Sequence, residues 1–240
     1  MLNFVKSEWL KQKHTFQPNF VWLAPLLTLL MGVFLMGGAN LQNGAYNWWY
    51  TILLPGSFTM FTAFMTAREK QKNRHGLFGI AVQKGRLWQA QIILGTMYLF
   101  ATCMLFFAGA ALGGFVFEQT VPVAAGLVGS LVLFVTFAWQ IPLWMFVTEK
   151  LGTFAAVFLS FACNLGVGVF FATEKLWWNP FSIPARLMTP IIGVLPNGLW
   201  AKAGSELTNK GVIVPGLLIS ITLFLLATVV TTRWFQKKEV

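Results

Sequence analysis

Acidic residues are scarce in this sequence of 240 amino acids. Aspartate is absent, and only seven glutamates stand against seventeen lysines and arginines, so the formal net charge is +10. Soluble proteins are about a quarter charged, whereas this chain is 10% charged and 57% hydrophobic. Because a soluble surface of mixed charge cannot be built from this composition, we predict a membrane protein.

Metal ligands and reactive thiols are equally few. Cys103 and Cys163 lie inside apolar runs, where a thiol behaves as a small apolar group. His14 and His75 lie in basic flanks, without a second ligand at metal-binding spacing. We therefore predict no disulfide, and no metal or other cofactor bound by this chain.

Signatures of catalysis and of energy coupling are missing too. The sequence has no GxxxxGK[ST] loop for nucleotide phosphates. Its apolar runs lack the paired carboxylates or activated nucleophiles of an enzyme, and the carboxylate or histidine relays of a proton-coupled carrier. We predict that the chain is not an enzyme and that any transport energy comes from another subunit.

Charged residues divide the chain into pieces that match a bilayer. About 20 residues, rising about 1.5 Å each, cross a hydrocarbon core of about 30 Å. The first long uncharged interval is split by a polar, glycine-bearing run at 37–47. The pattern predicts an all-α membrane protein with six transmembrane helices, near residues 20–38, 48–67, 89–115, 121–147, 152–172 and 212–232.

Residues 1–16 precede these spans and alternate apolar and basic side chains. Leu2, Val5, Trp9 and Phe16 recur at roughly helical spacing, which is typical of a helix in the headgroup layer. A plain basic flank is the alternative. A cleavable signal is not expected, because the first apolar stretch is too long for one.

The distribution of lysine and arginine along the chain also predicts its orientation in the membrane. With both termini in the cytoplasm, the inner segments hold thirteen of these residues and the outer segments four. Six of the thirteen lie between Thr66 and Trp88, so the turn at 68–88 is predicted to be cytoplasmic.

A few polar and aromatic residues are candidates for a substrate path. Gln140 and Asn164 lie within predicted spans, where an amide either lines a substrate surface or bonds to another helix. Two tryptophan pairs lie at predicted outer edges, where they form an aromatic belt or meet a substrate first. These tryptophans are Trp48, Trp49, Trp177 and Trp178.

The outer segment 176–210 is unusual because its apolar middle contains three prolines. This predicts broken or re-entrant helices, with an ordinary loop as the alternative. Arg186 would need a carboxylate or lipid headgroup as its partner, and Asn197 is a further polar candidate there.

Several short motifs, in this order and spacing, resemble the lantibiotic-immunity ABC transporter permeases of the MutE/EpiE type, within the ABC-2 class. The likeness runs through nearly the whole chain, with KHTF at Lys13 to Phe16 in place of the family's KRTF. The motifs are EWLKQKHTF, APLL from Ala24, NWWYTILLPG from Asn47, REK from Arg68, WQIPLW from Trp139 and WWNPFSIPARLMTPIIGVLPNG from Trp177.

The resemblance implies a six-helix permease of the type V exporter kind in the plasma membrane of a Gram-positive bacterium. It would work with a second, related permease and with two copies of a cytoplasmic ATPase that binds ATP and Mg²⁺. Such complexes remove a lantibiotic peptide from the membrane. An exporter of another amphiphile, such as a drug or lipid, and a peptide-binding immunity or scaffold protein without transport are the alternatives.

The resemblance also implies a role for the turn at 68–88. In ABC-2 permeases the turn between the second and third helices carries a coupling helix that docks on the ATPase, and here it corresponds to residues 73–82. A basic loop that anchors lipid, without a protein partner, is the alternative. The docking candidates are Lys72, Arg74, His75, Leu77, Phe78 and Ile80.

Overall fold

The computed structural model describes residues 1–71, 83–202 and 204–238, and the side chains of all of these except 69–71. The described chain is helical and has no β-strand, only a single bridge between Val194 and Trp200. This confirms the predicted all-α class.

Eight principal helices follow one another in the described residues, and three include π-helical turns. Helix α3 is continuous over 41–71, and α5 is interrupted only at Trp139. The helices are α1 Leu2–Gln12, α2 Gln17–Met36, α3 at 41–71, α4 Lys84–Val116, α5 Val123–Leu151, α6 Thr153–Ala172, α7 Ile183–Ile192 and α8 Lys210–Gln236.

Five of these helices are long and apolar enough to cross a bilayer, namely α2, α4, α5, α6 and α8. The chain is therefore a helical, multi-pass membrane protein. The predicted second span, 48–67, lies inside α3, which is helical throughout but is not among the five. The count of six transmembrane helices consequently stays a prediction.

Helix α3 is less apolar because it lies inside the bundle rather than against lipid. It packs against α2, α4, α5 and α6, and its Trp49, Leu54 and Met65 are fully buried. Its threonine hydroxyls bond within their own helix, as when Thr62 donates to the Phe58 carbonyl at 2.9 Å. A helix enclosed by other helices can carry hydroxyl groups that a lipid-facing helix would expose at a cost.

Helix α1 is tied to the bundle through a buried carboxylate. Glu8 is fully buried; one carboxylate oxygen accepts a hydrogen bond from Gln91 Nε2 at 3.0 Å, and the other lies 2.6 Å from Lys11 Nζ. Arg68 of α3 donates to the Lys11 carbonyl at 2.6 Å. The opposite side of α1 exposes apolar residues such as Leu10, so this helix can dock on the bundle and still offer lipid an apolar face.

The two termini lie at one end of the bundle. Lys84, at the start of α4, donates to the Lys238 carbonyl at 2.8 Å, and Lys238 also pairs with Glu149 at the end of α5. Since α1 contacts the early turns of α4 through Glu8, it lies at the same end. We call this end the basic end, because the described residues 1–13, 67–71, 83–91, 148–152 and 231–238 there carry most of the lysines and arginines.

The Glu8 anchor gives the first prediction. Glu8→Ala removes the acceptor for Gln91 and Lys11 and should destabilise the docking of α1 by about 1–3 kcal/mol. Protease cleavage within residues 1–13 of the detergent-solubilised protein should therefore become faster. Glu118→Ala, at an exposed glutamate, is the control and should leave cleavage unchanged. Equal cleavage of the two variants would contradict the anchor.

Candidate functional site

Gln140 and Asn164, predicted from separate spans, meet inside the bundle. Gln140 Nε2 donates to Asn164 Oδ1 at 2.8 Å, and Asn164 Nδ2 donates to Gln140 Oε1 at 2.9 Å. Both side chains are buried. The two amides thus form a reciprocal pair that joins α5 to α6.

Irregular backbone brings these amides together. Gln140 directly follows the interruption at Trp139, close to Pro142, which has no N–H to donate to the carbonyl four residues earlier. Asn164 lies in a π-helical segment, Ala162–Gly168. Short π-helical turns often accompany functional sites, because they re-aim side chains within an otherwise regular helix.

Three further side chains extend the pair into a cluster. Trp144 Nε1 donates to Gln140 Oε1 at 3.0 Å, Asn164 also donates to the Ser160 carbonyl at 2.9 Å, and the hydroxyls of Thr59 and Ser160 are 2.8 Å apart. We call Thr59, Gln140, Trp144, Ser160 and Asn164 the amide cluster. It joins α3, α5 and α6 through neutral hydrogen bonds. It therefore offers no acid, base or charge for chemistry.

The cluster bears on the two roles that the sequence allowed for these amides. In this conformation Gln140 and Asn164 bond to each other, as expected of amides that connect helices in a membrane. A substrate could contact them only after the helices rearrange. Their place in a substrate path stays a prediction.

The four candidate tryptophans do not form one surface. Trp49 is fully buried and stacks on Phe106 with ring centroids 4.5 Å apart, so in this structure it is a core residue and faces neither lipid nor substrate. Trp48 and Trp177 are half-buried. Trp178 is 56% exposed and is the most accessible of the four. The accessible tryptophans suit an aromatic belt.

Arg186 has a different partner from the one expected. It lies on α7, is only 5% exposed, and donates to the backbone carbonyls of Leu207 at 2.5 Å and Glu206 at 3.3 Å. Its partners in this structure are therefore backbone carbonyls, in place of the expected carboxylate or headgroup. Desolvation lowers the pKa of Arg186 from its ordinary value.

The exposed Asn197 accepts a hydrogen bond from the Leu199 amide at 3.1 Å and lies away from the amide cluster in a surface turn.

The start of α3 holds amides that the sequence analysis missed. Gln42 Oε1 accepts from the backbone amides of Thr120 at 2.8 Å and Val121 at 2.7 Å, while Gln42 Nε2 donates to the Ala110 carbonyl at 3.0 Å. A Cβ at Gly114 would lie 2.3 Å from Gln42 Nε2, so this bond needs a glycine there. The only sequence signal was the polar run at 37–47, interpreted as a break between spans.

Two more amides of α3 hold the segment after α7. Asn43 Nδ2 donates to the Gly198 carbonyl at 3.0 Å, and Asn47 Nδ2 donates to the Pro196 carbonyl at 2.8 Å. Gln42, Asn43 and Asn47 therefore fix two loops at the end of the bundle opposite the basic end. A displacement of α3 would move both loops.

The residues predicted to dock on an ATPase belong to a different part of the sequence. Lys72, Arg74, His75, Leu77, Phe78 and Ile80 lie outside the described residues, so ATPase docking stays a prediction from the sequence. Their described flanks, Arg68 and Lys84, are at the basic end.

Comparison with known proteins gives no matching family model, no matching curated protein and no matching solved structure. The resemblance of the sequence motifs to ABC-2 permeases stays a prediction.

The amide cluster gives the second prediction, a double-mutant cycle. Gln140→Met and Asn164→Leu should each destabilise the protein, because the first leaves Asn164 Oδ1 and the second leaves Gln140 Nε2 without its partner in an apolar interior. The double variant should be more stable than the sum of the two effects predicts, with a coupling energy of about 0.6–2 kcal/mol. Unfolding in mixed detergent and SDS micelles measures this coupling.

The matched control for that cycle pairs Gln140→Met with Asn197→Leu. Asn197 is exposed, and its side chain accepts a hydrogen bond from the Leu199 amide and makes none with Gln140. These two effects should add. A purely additive result for Gln140 and Asn164 would mean that their hydrogen bonds contribute no net stability.

Arg186 gives the third prediction. Arg186→Met should release residues 205–210 from α7, because the two carbonyls lose their donor. Trypsin should then cut faster at the exposed Lys202 and Lys210. Lys175→Met, which also removes an exposed basic residue outside this contact, should leave those rates unchanged. Unchanged cleavage in Arg186→Met would contradict the anchoring role.

Proposed function

We propose that this chain is the permease subunit of an ATP-driven ABC transporter of the ABC-2 class, which removes a lantibiotic peptide from the plasma membrane. The observation that carries the proposal is the separation of charge from the bundle interior. Among the described residues, lysines, arginines and glutamates lie at the two ends, whereas the hydrogen bonds that join the helices midway are neutral. The family resemblance supplies the substrate class.

The neutral interior leaves this chain without its own energy source. A proton-coupled carrier keeps ionisable relay groups within its spans, because a charge must be carried across. Between the charged ends, the helices α2 to α6 and α8 contain no aspartate, glutamate, histidine, lysine or arginine in the described residues. This neutral interior supports the proposal that a partner subunit supplies the energy for transport.

The basic end is the surface through which a partner would act. Helix α1, the last turns of α3, the first turns of α4 and the end of α8 meet there. In the proposed orientation this end and both termini are cytoplasmic. Nucleotide binding to two ATPase copies would favour one arrangement of this chain and a second permease over another. ATP and Mg²⁺ would bind to the ATPase and not to this chain.

Helix α3 is the element that can transmit such motion. It contributes Arg68 at the basic end, Thr59 to the amide cluster, and Gln42, Asn43 and Asn47 to the loops at the far end. In this proposal α3 is the sixth spanning helix, enclosed by its neighbours. A shift of α3 would reach the middle of the bundle and the opposite surface together.

The fourth prediction tests the coupling to an ATPase. Phe78→Asp should abolish co-purification of the ATPase and lower lantibiotic resistance to that of cells whose ATPase lacks its Walker lysine, because a carboxylate cannot enter an apolar cleft. Co-purification and the minimum inhibitory concentration of a lantibiotic panel are the measurements.

Phe117→Asp is the matched control, since it makes the same change at an exposed phenylalanine at the opposite end. It should leave ATPase binding intact. Full assembly and resistance with Phe78→Asp would overturn the docking. Full protection with the disabled ATPase would instead support a passive peptide-binding protein, and pumping of other amphiphiles but of no lantibiotic would support the alternative exporter.

A further inference from the structure

An apolar groove lies between α2 and α3 and is closed at one side by Phe161 of α6. Its volume is about 340 Å³. On each helix the lining side chains follow one another at intervals of about one turn. The groove therefore runs along the helices rather than across them. The lining residues are Phe16, Phe20, Leu23, Ala24, Leu27, Ile52, Leu53, Gly56, Ser57, Met60 and Phe161.

The groove wall is chemically suited to hydrocarbon. Ser57 is the one lining residue with a polar side chain, and its hydroxyl donates to the Leu54 carbonyl at 3.0 Å rather than into the groove. Along α2, the lining runs from Phe16 to Leu27, which at about 1.5 Å per residue is roughly 16 Å. That length is about half the bilayer's hydrocarbon core of about 30 Å, the depth of one leaflet.

The width of the groove favours a lipid acyl chain over a protein helix as its occupant. A helix about 10 Å in diameter is as wide as the distance of about 8–10 Å that usually separates the axes of packed helices, so it cannot enter a groove between α2 and α3. Gly56 also lets the Phe161 ring close one side, because a Cβ there would lie 2.8 Å from that ring. An extended acyl chain fits where a helix does not.

The mouth of the groove carries positive charge. Phe16, which is 62% exposed, lines the groove at the end where α2 begins, and the exposed Lys13 and His14 precede it. Three residues span at most about 11 Å, so the Cα atoms of Lys13 and His14 lie within that distance of the Cα atom of Phe16. The turn is fixed by Thr15, whose hydroxyl lies 2.8 Å from both the Gln12 carbonyl and Gln17 Oε1.

We propose that this groove binds one anionic phospholipid. One acyl chain lies between α2 and α3, and the phosphate lies against Lys13 and His14. The proposal is independent of the transport function. Basic residues at a membrane surface attract anionic headgroups, so the site should prefer phosphatidylglycerol to phosphatidylcholine with the same acyl chains. Bound lipid would fill the space between α2, α3 and Phe161, beside Ser160 of the amide cluster.

The test uses the full chain, reconstituted in nanodiscs containing equal amounts of phosphatidylglycerol and phosphatidylcholine with identical acyl chains. Native mass spectrometry after release counts the lipids that stay bound. The wild type should retain one phosphatidylglycerol in preference to phosphatidylcholine. Leu27→Trp, which places an indole in the groove from its exposed side, should remove this lipid. Leu30→Trp, on the same helix but outside the groove lining, should keep it.

A second variant tests the headgroup contact. The double variant Lys13→Ala and His14→Ala should still bind lipid but lose its anionic preference by about five-fold or more. Lys6→Ala, at an exposed lysine distant from the mouth in sequence, should retain the preference. Lys13 and His14 are exposed, so replacing them should not disturb folding. This variant therefore tests the proposal even if Leu27→Trp does not fold.

Three results would overturn the proposal: a wild type without retained lipid, equal retention by Leu27→Trp and the wild type when both are folded, or an unchanged preference in the Lys13 and His14 variant. Loss of the retained lipid from the wild type when a second permease is added would identify a partner chain as the occupant and would also overturn the proposal.

Discussion

The structure depends on one constraint: polar groups inside a membrane must find their partners within the protein. Lipid offers no hydrogen bonds, so each amide or hydroxyl in the bundle needs a neighbour from its own helix or from another. The reciprocal pair of Gln140 and Asn164 meets this requirement across α5 and α6. Thr62 meets it within α3 by donating to the Phe58 carbonyl. Only the first solution fixes where helices can lie, because a shift of α5 against α6 would leave buried amide groups unpaired, whereas the Thr62 bond moves with its own helix.

The same constraint explains why the least apolar of the long helices is the most enclosed. Helix α3 carries Gln42, Asn43 and Asn47 at one end and Thr59 at its middle, and together they contact three other parts of the chain. On the lipid-facing surface these side chains would be costly, whereas in the interior they connect α3 to its neighbours. Helix α8 shows the opposite arrangement, since its exposed surface is built of large apolar residues such as Leu218, Leu225 and Val230.

Much of the fold could be predicted from the sequence, because uncharged runs of bilayer length have few structural solutions. The helices at 84–116 and 153–172 overlap the predicted spans closely. Long-range partners could not be predicted. Periodicity and composition do not reveal that Arg186 binds the carbonyls of Glu206 and Leu207, or that Gln42 holds residues 120 and 121. For Trp49, the flanking aromatic pattern suggested a membrane edge, but packing against Phe106 buries the ring.

The neutrality of the amide cluster also suits a helix bundle that must change its arrangement. Breaking a buried ion pair leaves uncompensated charges in a low-dielectric interior and costs about 3–5 kcal/mol. Neutral hydrogen bonds contribute about 0.5–1.5 kcal/mol each, and amides can exchange partners among nearby hydroxyls and carbonyls. Asn164 already donates to both Gln140 and Ser160, so alternative acceptors are in place. In the proposed transporter, an interior joined in this way would stay specific in each state and would keep the energy difference between states within reach of a partner's nucleotide binding.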